Sequence, residues 1–150
     1  FLSLQYLYGL ARAARPEADV MLEGFREQAR SGREDRALWA EVCLPAAEGM
    51  LAHARGDWER CVGRLGAALP RIWETGGSHA QRDLFEQIWL DALIRAGRWV
   101  AAQQALERRR AFEPEAVPAN RALAGVYLEL GLPKESLAAQ ARVRAALAAL

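Results

Sequence analysis

The chain has 150 residues, 52% of them hydrophobic and 26% charged, with a formal net charge of +1. That length and balance belong to a folded domain with a sizeable core, not to a disordered segment. Residues 1–75 hold 10 Arg and 11 acids, and residues 76–150 hold 10 Lys or Arg and 8 acids, so neither half is the polyelectrolyte that a dedicated nucleic-acid surface requires.

Ala, Leu, Arg and Glu dominate, Val and Ile are few, and Thr75 is the lone Thr. Strong helix formers without strand formers predict an all-α fold. Residues 1–14 read as a helix with Leu4, Leu7, Tyr8 and Ala11 at helical spacing. Arg15-Pro16 breaks it, and Pro16 opens a second helix whose first turn carries Glu17 and Asp19. Its stripe is Ala18, Met21, Leu22, Phe25 and Ala29, and Ser31-Gly32 ends it. Residues 34–55 are helical in composition but contain Pro45, which predicts a kink there or a new helix starting at about Leu44.

Gly56-Asp57 is a turn, with Asp57 capping a helix that turns Trp58, Cys61, Val62, Leu65, Leu69 and Ile72 inward. Thr75-Gly76-Gly77 stops the chain again. Ser78 with Gln81 three residues later matches a capping box. The next helix shows Leu84, Phe85, Ile88, Trp89, Ala92 and Leu93; Gly97 ends it. Residues 98–112 form its partner, with Ala102, Ala105, Leu106 and Phe112 inward. A linker at Glu113-Pro114 leads to a helix over 118–130, with Leu123, Val126, Tyr127 and Leu130. Gly131-Leu132-Pro133 then turns the chain into an Ala-rich last helix.

Aligning the turn glycines Gly56, Gly97 and Gly131 exposes a repeat. Trp58 and Trp99 fill one aromatic slot two residues after the turn, where Pro133 departs from it. Cys61, Ala102 and Ser136 are all small five residues after it. Gly49 and Ala124 are small seven residues before it, where Leu90 departs. Small residues let two helices of a hairpin approach closely, and stacked neighbours bury the faces that one hairpin leaves open.

The pattern resembles the tetratricopeptide repeat. Its 34-residue spacing holds from Gly97 to Gly131; from Gly56 to Gly97 it is 41, placing seven extra residues around Pro70 to Ser78. Leu44-Pro45-Ala46-Ala47-Glu48-Gly49, Ala54-Arg55-Gly56-Asp57-Trp58 and Gly76-Gly77-Ser78-His79-Ala80-Gln81-Arg82-Asp83-Leu84-Phe85-Glu86 are more narrowly similar to the C-terminal region of the tetratricopeptide repeat protein 38 family, over residues 43–114. The resemblance implies a right-handed superhelical stack of about four antiparallel hairpins, forming one domain over 1–150. It implies a non-catalytic scaffold, and the tail of a longer repeat protein. A start at Phe1 rather than Met fits a fragment or a processed form.

In such stacks the first helix of each hairpin lines the concave surface. That implies a partner-binding face of Met50 and His53, then Gln87, Asp91, Ile94 and Arg95, then Arg121, Leu128 and Glu129. An Asp91–Arg95 pair there suits an extended peptide or a partner's helix. The Lys/Asn clamp that relatives use for acidic peptide termini is replaced by Cys43, Ala46, Ala47 and Met50. The alternative is a small-molecule or catalytic site on His79, Arg82, Asp83 and Glu86, whose offsets allow one shared helix face. The same residues also compose an ordinary helix start, with Arg82 pairing to a neighbouring hairpin.

Arg108-Arg109-Arg110 lies at a helix C-terminus, where the dipole favours cations. Trp39 and Trp73, outside the repeat slots, are candidate partner anchors if exposed. Cys43 and Cys61 read as free buried thiols of a reduced compartment, and the two Cys and two His have no zinc spacing. No metal and no cofactor is expected. No apolar run reaches the roughly 20 residues that span a bilayer, and no signal peptide is visible. The expectation is a cytoplasmic, protein-binding chain with no membrane or nucleic-acid partner. Self-association through the last helix, by Leu147 and Leu150, is a third expectation.

Overall fold

The computed structural model describes residues 1–149, which are mostly helical with no strand among them; Leu150, named above for self-association, lies outside the described residues. They form two compact units, Phe1–Ala92 and a second from Leu93 on. The first contains α1 (Leu2–Arg12), α2 (Glu17–Arg30), a short α3 (Arg36–Leu38), α4 (Leu44–Ala54), α5 (Trp58–Ala68) and most of α6 (His79–Arg95). The second contains α7 (Trp99–Phe112), α8 (Val117–Glu129) and α9 (Pro133–Ala148).

α4 starts at Leu44 with Pro45 in its first turn, the second of the two expected alternatives. The stretch Trp39–Cys43 winds as a π turn, in which the Leu44 N–H donates to the Trp39 carbonyl five residues back. Widening the turn just before proline suits a ring that has no N–H and would crowd the carbonyl four residues earlier. The seven extra residues of the repeat spacing are matched by a 3₁₀ segment, Leu69–Thr75, followed by Gly76 and Gly77 at φ 83° and 81°. The Ser78 N–H donates to Gln81 Oε1 at 2.8 Å and the Gln81 N–H donates to Ser78 Oγ at 3.3 Å, so the capping box closes and starts α6.

The three aligned turns share one backbone. Gly56, Gly97 and Gly131 have φ of 79°, 67° and 70°. At each, the glycine N–H bonds the carbonyl three residues back (His53, Ile94, Leu128). The following N–H bonds the carbonyl five residues back (Ala52, Leu93, Tyr127). This is the Schellman pattern, and glycine takes the left-handed position without a Cβ penalty. Five residues after each glycine, Cys61, Ala102 and Ser136 are fully buried.

In the first unit α4 is central, packed by α1, α2 and α5. Leu4, Leu7, Leu22, Phe25, Val42, Ala46, Met50, Leu65 and Phe85 make the core. Phe1 meets Phe85 edge-on at 5.8 Å. In the second unit Leu106, Leu123, Val126 and Ala139 are buried. Phe112, expected inward, is the last residue of α7 and is 88% exposed.

Candidate functional site

His53 closes α4 one turn before Gly56, and its side chain is only 8% exposed. Its Nε2–H donates to Asp91 Oδ2 at 2.8 Å, and its Nδ1 accepts from the Tyr8 hydroxyl at 3.0 Å. The carboxylate fixes this tautomer, because it can only accept. The Trp58 ring stands edge-on to the imidazole at 5.2 Å and the Tyr8 ring lies 5.8 Å away. A chain of hydrogen bonds therefore joins α1, α4 and α6 under an aromatic lid from α5.

The electrostatics favour a neutral phenol and neutral thiols. Burial pushes the Tyr8 hydroxyl above its ordinary value; Arg12 opposes this, while Asp91 and Cys61 add to it. Burial, with Asp91 and Asp57, pushes the Cys61 thiol up to about 12. Burial also raises Cys43. Both cysteines are free and buried. A nucleophile needs its proton made labile, and here each environment holds the proton on. Tyr8, His53 and Asp91 form a part-buried polar strut, and every buried side-chain N or O of the described residues has a hydrogen-bond partner.

The expected partner face needs correction at its first hairpin. Met50 is fully buried and His53 nearly so, because α1 covers the face of α4 that the repeat count assigns to the groove. The sequence signal was present: Leu44–Ala54 is apolar nearly all round, which marks an enclosed helix. On α6, Gln87 and Arg95 are exposed, Ile94 is half-buried, and the Asp91 side chain is 43% exposed above His53. On α8, Arg121, Leu128 and Glu129 are exposed.

The residues of the alternative site are engaged locally. His79 and Glu86 are exposed. Arg82 donates to the Gly76 and Gly77 carbonyls rather than to a neighbouring hairpin, bracing the loop before its own helix. Asp83 accepts from Gln87 on the next turn of α6. Trp73 is 63% exposed, whereas Trp39 packs edge-on against Phe25 at 5.4 Å and donates to Asp35.

Sequence reasoning missed two features. Tyr8 entered only as an apolar-stripe residue, though a phenol there needs a partner. Asn120, fully buried on α8, donates to the Pro114 and Ala116 carbonyls at 2.8 and 3.0 Å and accepts from Arg142 Nε at 2.6 Å, tying the linker and α9 to α8. A shallow cleft of about 360 Å³ also opens over Leu22 and Leu51. Its walls include Arg55 paired to Asp19 at 2.7 Å and Arg26 paired to Glu23 at 3.0 Å. Among the described residues no group of three or more His, Cys, Asp or Glu could hold a metal ion, and no helix is long and apolar enough to cross a membrane.

No protein-family model matches this sequence, and no solved structure matches this fold.

Proposed function

We propose that the chain is a non-catalytic, tetratricopeptide-like module, a right-handed superhelical stack of hairpins related to the tetratricopeptide repeat protein 38 family. It binds an extended peptide or a partner's helix through the outward faces of its hairpins' first helices. One observation carries the repeat reading: three turns share the same glycine conformation, the same pair of closing hydrogen bonds and the same buried small residue five positions on. Repeats of this kind serve as rigid supports for recognition surfaces. The polar strut under Asp91 fits that use, since it holds the α6 face in place. With Met50 and His53 buried, the proposed contact residues are Gln87, Asp91 and Arg95 on α6, and Arg121, Leu128 and Glu129 on α8. A cytoplasmic setting is part of the same proposal, resting on the free buried thiols.

Site-specific photo-crosslinking in cells tests it. A crosslinker replacing Gln87, or one replacing Arg121, captures a protein partner, while one replacing Arg60 on α5 or Gln104 on α7, both exposed, does not. Equal capture from all four positions overturns the assignment.

A further inference from the structure

In the second unit Glu107, Arg110, Asn120, Tyr127 and Arg142 form a polar cluster that joins α7, α8 and α9. The Tyr127 hydroxyl donates to Glu107 Oε1, and Arg110 Nε donates to Oε2 at 2.8 Å, so both carboxylate oxygens are engaged. Arg142 lies near enough to favour the charged forms of both Glu107 and Tyr127. Its own Nε donates at 2.6 Å to Asn120 Oδ1, a neutral acceptor. Asn120 is fully buried, and its amide hydrogens go to the Pro114 and Ala116 carbonyls, which fixes the amide and with it the guanidinium. Among the described residues no carboxylate forms an ion pair with Arg142, and its remaining N–H donors meet no acceptor. Two guanidiniums therefore share one carboxylate, and one positive charge is left uncompensated. Arg142 is half-buried and the Arg110 side chain is 35% exposed, so both are held in place and still reached from solvent.

We infer that Arg142, with Arg110 acting on the same carboxylate, is a binding site for the carboxylate of a ligand. A guanidinium offers its N–H groups as a planar fork that a carboxylate matches. Held by a neutral amide, Arg142 keeps its full charge, and being already oriented it loses little freedom on binding. The charge count points to a monoanion, since one negative charge neutralises the cluster. A free small acid and an acidic side chain carry this same group. The inference uses neither the repeat reading nor the α6 and α8 contact faces.

The probe is sodium acetate, titrated into the full chain at constant ionic strength against sodium chloride. Binding is followed by the NMR signals of the Arg142 Nε–H and of the Asn120 side-chain amide. Saturable shifts are expected with acetate and not with chloride. Arg142→Gln weakens acetate binding, read at Asn120, at least about tenfold, and Arg144→Gln leaves it as it was. Glu107→Gln removes the competing carboxylate and strengthens binding at least about threefold, a gain that a guanidinium serving only to brace α9 would not give. A second titration uses the peptide acetyl-Gly-Glu-Gly-amide: tighter binding than acetate assigns the site to an acidic side chain, and equal or weaker binding assigns it to a small free acid. The inference is overturned if acetate and chloride give the same shifts, if Arg142→Gln at unchanged Tm binds acetate equally well, or if Glu107→Gln brings no gain.

Discussion

Gly49 of α4 lies against the backbone of Leu65 in α5 so closely that a Cβ on Gly49 would fall 2.6 Å from the Leu65 amide nitrogen and Cβ, and 2.9 Å from its Cα. No rotamer change relieves a clash with backbone. Gly49→Ala should therefore cost about 1–3 kcal/mol by forcing α4 and α5 apart. Gly63 is the control: it lies inside α5 with nothing within 4 Å of a built Cβ. Gly63→Ala should stabilise by about 0.5–1 kcal/mol from helix propensity. Urea unfolding of the two variants measures both signs, and equal effects would refute the close approach.

Ala14 ends α1 at φ 52°, with the Arg15 N–H closing on the Leu10 carbonyl. This is the turn that glycine makes at Gly56, Gly97 and Gly131, here forced on a residue with a Cβ. Ala14→Gly should raise stability by about 1 kcal/mol, the relief of left-handed strain less the added entropy of the unfolded chain. A lower urea midpoint would contradict it.

Tyr8→Phe removes the hydrogen bond to His53 Nδ1 and leaves a buried acceptor unpaired, at a cost of about 1–3 kcal/mol. Asp91→Asn is expected to cost stability at the other end of the same chain. The double variant should cost less than the sum, since both changes act through one imidazole. Strict additivity in a double-mutant cycle would show that the strut does not act as a unit.

The Glu107–Tyr127 pair sets a pH dependence. Burial by itself raises the Glu107 carboxyl, but hydrogen bonds from Tyr127 and Arg110 outweigh it and hold the group below the ordinary carboxylate range. A carboxyl depressed by folding contributes stability that is present above its unfolded value of about 4.3 and lost as pH falls through the folded value. Burial, then the bond to Glu107, raises the Tyr127 hydroxyl. That contribution is present below about pH 10 and lost as pH rises through the folded value. Glu107→Gln should flatten the acid limb of urea stability against pH, and Tyr127→Phe the alkaline limb.

Much of the fold was legible because the deciding signals are local. Turn glycines, the Ser78–Gln81 box and the stripes of α1, α2 and α5 each lie within a few residues of one another. The site was legible only in part. The sequence reading paired Asp91 with Arg95 and did not foresee the hydrogen bond that Asp91 accepts from His53, 38 residues away. Tyr8 lies 45 residues from His53, and no periodicity within α1 reports so distant a partner. Met50 was misplaced for a related reason: helical spacing separates the faces of α4 but does not say that α1 covers the second one. Pro45 reads locally as a helix start at Leu44, which α4 makes, but the π spacing of the turn before it left no signal in the sequence.

The central proposal, a non-catalytic module whose first-helix faces hold a partner, is tested most directly by the affinity of the segment captured at Gln87. Calorimetric titration of that segment should show binding at least about tenfold weaker with Gln87→Arg plus Arg95→Glu, at unchanged Tm, and unaltered with Gln104→Glu. Equal affinities across the set, or a loss with Gln104→Glu alone, would contradict it.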